Sequence, residues 1–246
     1  MKPWPYPRII AHRGGGTLAP ENTLASLRKA RELGFSGVEF DVMLAADATP
    51  VLMHDPTLER TTSGSGAIDA TAFADMLKLD AGCWFSPEFA GERVPSFEHA
   101  GKLCVELGLW ANIEIKPTNG LEAETGKAAA LLARELWRGA PLQPLLGSFR
   151  PQALQAARQA APELPRSALT KAIPPDWQRR MQDLGCVSLH CDYRLLLQQQ
   201  VRAVRDAGYW LVCWTVNDPG IARVLFDWGA DAVITDRLDL ISPDFK

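Results

Sequence analysis

Two short β-prone segments each carry two charged side chains placed two residues apart: Glu39 and Asp41 in the first, Glu114 and Lys116 in the second. Side chains two apart on a strand share a face, so each pair points the same way. Charged groups among apolar residues are costly to bury unless they pair with each other or bind a cation. Taken alone, either pair is as consistent with a structural role, as an ion pair or on a half-exposed edge strand, as with a functional site. Together they predict a buried acidic cluster that holds a cation.

Two histidines add a group that can transfer protons. His12 and His54 each end an apolar run, and each is followed by a charged residue, Arg13 or Asp55. Imidazole titrates near neutral pH and can donate or accept a proton. A single histidine on a strand is more often structural, but two of them beside the acidic pairs favour a catalytic site. Three glycines follow Arg13, and this run would let backbone N–H groups approach an anionic ligand.

The elements that position these residues alternate along the chain. Short apolar β-prone runs are separated by segments with helical periodicity, the order that produces parallel sheets covered by helices. Eight strands with intervening helices predict an α/β fold, a closed (β/α)₈ TIM-type barrel. The predicted strands span residues 8–12, 37–42, 109–116, 145–148, 166–169, 187–190, 210–215 and 232–236. The predicted helices span residues 23–33, 122–137, 151–160, 175–184, 197–207 and 219–228.

A ninth apolar run, at residues 50–54, follows the second strand too closely for a helical crossover. It therefore predicts a local hairpin beside that strand, outside the barrel. Residues 55–108, after this run, predict a small cap insertion over the site, with a helical piece near residues 70–79, because ordered loops of this size usually carry function. A purely structural decoration is the alternative. We expect residues 1–246 to form a single domain.

In barrels of this kind, chemistry takes place at the carboxyl ends of the strands. The histidines and the acidic pairs fall at or near these ends. Trp214 ends the seventh predicted strand and Phe149 follows the fourth, so each is a candidate wall for a substrate and equally a packing residue. Asp236 ends the last strand, where we expect it to orient a neighbour rather than to react.

The composition excludes several classes of function. The chain is 47% hydrophobic and 22% charged with a net charge of -3, which argues against disorder and against a nucleic-acid partner. An odd set of five cysteines without a CxxC pair favours a reducing compartment. The proline-rich start does not fit a secretory signal, and no stretch approaches the ~20 apolar residues of a membrane span. We therefore expect a cytoplasmic protein without membrane insertion.

Several ordered motifs across nearly the whole chain resemble those of the glycerophosphodiester phosphodiesterase family. They lie at residues 11–14, 19–23, 38–42, 50–55, 57–62, 80–85, 112–116, 148–149, 214–217 and 234–236. The turn at residues 44–49 departs from the family pattern, in which a lysine, an aspartate and a glycine are usual. This departure should alter only the hairpin.

The resemblance implies a TIM-type barrel that hydrolyses glycerophosphodiesters to glycerol 3-phosphate and an alcohol with the help of a divalent metal. By motif match, the metal ligands would be Glu39, Asp41 and Glu114, the acid/base pair His12 and His54, and the phosphate contacts Arg13 and Lys116. Three carboxylates are hard oxygen ligands, which suit Mg²⁺ or Ca²⁺ rather than zinc.

Two other functions remain open at this level. A cyclising phosphodiester lyase of the phospholipase C type would use a substrate hydroxyl, instead of water, as the first nucleophile. A barrel that binds a phosphorylated ligand without catalysis is the other alternative, which the intact histidines and acidic residues argue against. The sequence does not decide the alcohol head group, Mg²⁺ against Ca²⁺, which histidine is the acid, or the oligomeric state.

Overall fold

The computed structural model describes residues 3–245, and eight parallel strands of this region form a closed barrel. Each strand is largely buried, because its outer face packs under helices and its inner face fills the barrel. The barrel strands are β1 (Ile9–Ala11), β2 (Gly37–Leu44), β4 (Trp110–Ile115), β5 (Leu145–Ser148), β6 (Arg166–Thr170), β7 (Ser188–Asp192), β8 (Trp210–Trp214) and β9 (Ala232–Thr235).

The barrel closes at its first strand. β1 pairs in parallel with β9 through Ile9, Ile10 and Ala11, and with β2 through Ala11 opposite Val38. The remaining strands follow one another in chain order around the cylinder, which is the topology of a (β/α)₈ barrel. The predicted fold class is confirmed.

β3 (Pro50–Leu52) lies outside the barrel, as the short connection predicted. It runs antiparallel to β2, with Leu52 opposite Val42 and Pro50 opposite Leu44. A turn at residues 45–49 joins the two strands, and Ala48 there has a φ of 60°. The hairpin runs back along β2 from its carboxyl end, so that His54 follows close to Asp41: the Met53 N–H donates to the Asp41 carbonyl over 3.2 Å.

Seven helices connect the barrel strands, and an additional short helix, α2, lies in the insertion. Six of the seven overlap the predicted segments to within two residues at either end. The helices are α1 (Leu24–Glu32), α2 (Phe73–Met76), α3 (Phe97–Leu107), α4 (Glu122–Leu136), α5 (Pro151–Ala160), α6 (Trp177–Leu184), α7 (Gln198–Asp206) and α8 (Pro219–Trp228).

α3 was not predicted as a separate element, since its residues fall inside the segment assigned to the cap. The Ser96 hydroxyl accepts from the His99 N–H over 3.2 Å and caps the amino end, and Gly108 ends the helix in the left-handed conformation with a φ of 67°. Phe97 and Leu103 are buried against the barrel. This helix is therefore the crossover between β2 and β4, and the cap proper ends before it.

The rest of the insertion has a small apolar core of its own beside the barrel. Its predicted helical piece is reduced to the single turn of α2. The buried members of this core are Met43, Ala45, Val51, Met53, Leu58, Ile68, Met76, Ala81 and Val94. Four of them come from β2, β3 and the residues next to these strands, so the hairpin anchors the cap. No helix within residues 3–245 is long and apolar enough to cross a membrane.

Candidate active site

Three carboxylates converge at the carboxyl ends of β2 and β4. Asp41 and Glu114 are paired in the sheet register, and Glu39 lies two residues earlier on the face that Asp41 shares. One oxygen from each of the three lies within 4.8 Å of the others. Asp41 is 1% exposed and Glu39 is 4% exposed. The strands therefore concentrate negative charge in a nearly dry place, a spacing suited to one shared cation.

The protonation of these carboxylates reflects their crowding. Burial, followed by the neighbouring charge of Asp41, raises the pKa of Glu39 to about 7. The same two causes raise the pKa of Glu114 well above its ordinary value. Burial acts to raise the pKa of Asp41 too, but the charges of Lys116, His54 and Arg13 outweigh it and lower that pKa. Two of the three carboxylates thus resist ionisation unless a further positive charge joins them.

Asn22 fixes the orientation of Asp41. The Asn22 amide donates to Asp41 Oδ2 over 2.8 Å, and the Asp41 N–H donates to Asn22 Oδ1 over 3.1 Å. Asn22 is buried and has a φ of 57°, a left-handed conformation that asparagine tolerates better than most residues. Asn22 belongs to the motif at residues 19–23, and the structure places it directly behind the acidic cluster.

His12 is held by a carboxylate on its far side. His12 Nδ1 and Asp236 Oδ1 lie 2.5 Å apart, and the Asn217 amide donates to Asp236 Oδ2 over 2.9 Å. The other ring nitrogen, Nε2, lies 3.8 Å from Glu39 Oε2 and so faces the acidic cluster. Burial acts to lower the pKa of His12, but the bond to Asp236 and the charge of Glu39 outweigh it and raise that pKa.

His54 is held by a carboxylate in the same way. His54 Nδ1 lies 2.6 Å from Asp55 Oδ1, and Arg60 Nε donates to Asp55 Oδ2 over 2.5 Å. Two further nitrogens of Arg60 donate to the Glu21 carboxylate, each over 2.8 Å. Burial lowers the pKa of His54, against the opposing charge of Asp41. Arg60 belongs to the cap, so a cap residue braces the group that holds His54.

Arg13 and Lys116 border the acidic cluster, as their predicted role requires. The Arg13 backbone N–H donates to Glu39 Oε2 over 3.0 Å, and its guanidinium donates to Glu21 Oε1 over 2.7 Å. Arg13 Nε is buried and lies 3.7 Å from Asp41 Oδ2, and it has no hydrogen-bond acceptor among the residues that the structure describes. Lys116 Nζ lies 3.4 Å from Asp41 Oδ1 and 4.0 Å from Glu114 Oε1.

Glu21 pairs with two arginines. Its carboxylate bridges Arg13 and Arg60. Burial acts to raise its pKa, but the bonds to Arg60 and the charge of Arg13 outweigh it and lower that pKa. Glu21 therefore links Arg13, at the acidic cluster, to Arg60 of the cap. No local pattern could show this, because Glu21 and Arg60 are far apart in the chain.

The glycine run after Arg13 also differs from expectation. The Gly14 N–H donates to the Glu39 carbonyl and the Gly16 N–H donates to the His12 carbonyl, each over 3.0 Å. A Cβ atom on Gly16 would lie 2.2 Å from the Asp236 carbonyl oxygen. These glycines are present because the chain turns tightly beside β9, and those two N–H groups are not free for an anion.

Trp214 and Phe149 form an aromatic wall of the cavity that holds the acidic cluster. Their rings meet edge to face with centroids 5.6 Å apart, and Phe149 is 40% exposed. They and the other seven predicted site residues line one cavity of about 240 Å³. The full lining is His12, Arg13, Glu39, Asp41, His54, Asn112, Glu114, Lys116, Gly147, Phe149, Leu169, Lys171, Trp214, Thr215 and Ile234.

Several other aromatic and histidine residues lie outside this cavity. Trp84 and Phe85 of the cap pack edge to face on each other, and the Trp84 indole N–H donates to the Ala81 carbonyl. His99 is exposed on α3. His190 is buried in β7, and neither ring nitrogen has a hydrogen-bond partner among residues 3–245.

Comparison with known proteins identifies the family. Residues 12–240 match the model of the Glycerophosphoryl diester phosphodiesterase family. The chain belongs to this family. A glycerophosphodiester phosphodiesterase of Caldanaerobacter subterraneus is 32% identical over 93% of both chains. Glycerophosphodiester phosphodiesterase 1 of mouse is 35% identical over 100% of this chain and 69% of its own length.

A solved structure of the family is closely similar in fold. It is an Oleispira antarctica phosphodiesterase in complex with the product sn-glycerol-3-phosphate, which is 41% identical, covers 94% of this chain and 93% of its own, and superimposes with a TM-score of 0.91. The family resemblance and the predicted enzyme class, glycerophosphodiester phosphodiesterase, are thereby confirmed. The roles of individual residues stay predictions.

Proposed function

We propose that this family member hydrolyses glycerophosphodiesters to glycerol 3-phosphate and an alcohol, with a divalent cation at Glu39, Asp41 and Glu114 and with His12 and His54 as the acid/base pair. The observation that carries the proposal is the convergence of three carboxylates within 4.8 Å, beside two imidazoles that are each tethered by a carboxylate. The product bound to the relative from Oleispira antarctica supports a small-molecule diester as substrate.

The donor set fits a hard divalent cation. All three donors are carboxylate oxygens, the ligands that Mg²⁺ and Ca²⁺ take in proteins. Burial and the charge of Asp41 raise the pKa values of Glu39 and Glu114, and a divalent cation among the three carboxylates would favour their ionised forms. When bound, such an ion polarises a phosphoryl oxygen and neutralises developing charge.

The histidines supply the proton transfers. Asp236 and Asp55 each engage a Nδ1 atom, which leaves Nε2 of both rings for exchange with the reactants. One histidine accepts the proton of the attacking water, and the other protonates the departing alkoxide, which is a poor leaving group without that proton. Carboxylate partners fix the ring orientation that both transfers need.

Arg13 and Lys116 offset the charge of the phosphoryl group. Their guanidinium and ammonium groups are anchored by Glu21 and by Asp41 respectively, so they need little reorganisation when an anion arrives. Arg13 Nε is a buried donor without an acceptor, and a phosphoryl oxygen would provide one. Trp214 and Phe149 then offer an apolar wall to the carbon atoms of the substrate.

Phosphorus NMR tests this proposal. Purified protein with added Mg²⁺ or Ca²⁺ should convert glycerophosphocholine to glycerol 3-phosphate, stop when the cation is chelated, and resume when it is restored. His12→Ala and His54→Ala should each abolish turnover with the fold retained, whereas His99→Ala, on the exposed face of α3, should not. A cyclic phosphate as the end product would instead indicate the lyase, and tight binding without product would indicate a non-catalytic binder.

A further inference from the structure

The lining of the catalytic cavity is divided by charge. The half that comes from β1, β2, β4 and the β3 hairpin carries all the groups of the proposed proton transfers and metal binding. The other half comes from β5, β6, β8, β9 and the residues that follow them, and it consists of Gly147, Phe149, Leu169, Lys171, Trp214, Thr215 and Ile234. Within the described part of the chain, Lys171 is the one charged residue of this second half.

Lys171 directly follows β6 and is exposed, so it lies where the cavity meets solvent. β6 is two strands beyond β4 in the barrel, which separates Lys171 from the acidic cluster on β2 and β4. The other two permanent cations of the lining are engaged, Arg13 with Glu21 and Lys116 with Asp41. Lys171 forms no ion pair with a carboxylate among residues 3–245. It can therefore pair with a charged ligand without losing an existing partner.

Asp192, which ends the neighbouring strand β7, interacts electrostatically with Lys171 but is already satisfied. The Asp192 N–H donates to the Lys171 carbonyl over 3.1 Å, so the two residues are adjacent. Arg194 takes both carboxylate oxygens: Nε donates to Oδ1 over 2.9 Å, and Nη2 donates to Oδ2 over 2.6 Å. These bonds lower the pKa of Asp192 against its burial, and the charge of Lys171 adds a smaller effect. Two cations thus share one carboxylate, and positive charge is left in excess.

This distribution of charge bears on the alcohol arm of the diester. The glycerol arm is uncharged and the same in every substrate, so a cation can discriminate only through the alcohol. A positively charged alcohol meets no carboxylate in this half of the lining. The faces of Trp214 and Phe149 attract cations, but Lys171 lies in the same half and repels them. An alcohol with a carboxylate or a second phosphate instead gains a charged hydrogen bond from Lys171.

We propose that Lys171 selects glycerophosphodiesters whose alcohol carries a negative charge, by pairing with that charge while the diester phosphate lies at the acidic cluster. The inference rests on the proposed function and names its substrate class: diesters of hydroxy acids, such as glycerophosphoserine, or of alcohols with a second phosphate. Because Lys171 is exposed, the pairing resembles a surface ion pair, and added salt should weaken it.

Paired substrates test the inference. Glycerophosphoserine and glycerophosphoethanolamine differ by one carboxylate and yield the same phosphate product. Wild-type kcat/KM should favour the serine diester by roughly fivefold at low ionic strength, and this ratio should fall as salt is added. Lys171→Met should bring the ratio close to one, and Lys171→Glu should invert it. Comparison of two substrates within one variant cancels any loss of activity that both share. Lys127→Glu, exposed on α4, makes the same change in net charge and should keep the wild-type ratio.

Calorimetric binding of O-phosphoserine, compared with O-phosphoethanolamine, separates this inference from the proposed function. Turnover without preference for the serine diester, or with a preference that Lys171→Met retains, would overturn the role of Lys171 and leave the hydrolase intact. Absence of turnover, with O-phosphoserine bound more tightly and this gain lost in Lys171→Met, would overturn the hydrolase and leave the anion subsite standing. Equal binding of the two ligands without turnover would overturn both.

Discussion

His12 and Asp236 form the shortest carboxylate contact of either site histidine, with 2.5 Å between Nδ1 and Oδ1. The two residues come from opposite ends of the chain and meet where β1 pairs with β9. Asp236 is held in turn by Asn217, whose Oδ1 accepts from the Asp236 N–H over 2.8 Å. The last strand of the barrel therefore orients a histidine of the first, and closure of the barrel is a condition for the proposed chemistry.

Replacing Asp236 by asparagine should lower kcat roughly 10- to 100-fold, because the amide no longer fixes the ring or stabilises its protonated form. The pKa of His12 should fall, since the bond to Asp236 is the main cause that raises it. The limb of the pH–rate profile that His12 controls should then move to lower pH. Asp239→Asn, in the exposed pair with Arg237, is the matched control. An unshifted profile in Asp236→Asn would show that Asp236 has only a structural role.

Arg60 connects the cap to the site through Asp55 and Glu21. Arg60→Met should reduce kcat/KM by roughly tenfold, because the charged hydrogen bonds to Asp55 and Glu21 are lost. Asp55 then no longer holds His54 firmly, and Glu21 no longer holds Arg13 firmly. Steady-state kinetics on glycerophosphocholine measure this effect. Lys78→Met breaks an exposed ion pair with Asp75 elsewhere in the cap and should change little. Equal activity in the two variants would mean that the cap does not brace the site.

Glu114→Gln should act mainly on metal affinity. Removing one of three charges from the ligand set should weaken Mg²⁺ or Ca²⁺ binding by roughly one to two orders of magnitude, since ligand charge sets affinity at oxygen sites. Calorimetric titration of the cation into the metal-free protein measures this loss, and excess cation should restore part of the turnover. Glu124→Gln, on the exposed face of α4, should bind as wild type does. Unchanged affinity in Glu114→Gln would remove this residue from the ligand set.

His190 should make the fold sensitive to acid. Burial lowers its pKa to about 3, against an ordinary value of 6.5, so between these values the unfolded chain binds a proton that the native state does not. The contribution of the neutral His190 ring to the free energy of unfolding is therefore present at neutral pH. As the pH falls from 6.5 to about 3, this contribution is lost by about 1.4 kcal/mol per pH unit. Denaturant unfolding at several pH values should show a shallower loss in His190→Leu than in wild type. His99→Leu, the control, should show the wild-type dependence of unfolding free energy on pH. The same wild-type dependence in His190→Leu would contradict the prediction, because it would mean that the native ring is already protonated.

Much of the site could be predicted from the sequence because it depends on strand periodicity. Glu39 and Asp41 share a face of β2, and the parallel register places Glu114 opposite Asp41. Once the strands were recognised, the carboxyl-end rule of the barrel brought the histidines to the same mouth. All nine predicted residues line the catalytic cavity for this reason.

The remaining contacts depend on the path of the chain in three dimensions. Asn22 reaches Asp41 only because the turn before α1 adopts a left-handed conformation at that residue. Glu21 meets Arg60 only because the cap brings Arg60 beside the turn that precedes α1. α3 carried its own signals, a Ser96 cap and Gly108 at its end, but these were overlooked because its residues were assigned to an insertion.

The central claim is that Glu39, Asp41 and Glu114 together hold one divalent cation. Anomalous diffraction from crystals soaked in Mn²⁺, a stand-in for Mg²⁺ with a measurable anomalous signal, tests it most directly. The account predicts a single strong peak bounded by these three carboxylates, absent from crystals of a variant with all three replaced by their amides. A peak elsewhere in the molecule, or none at the carboxylates, would contradict it.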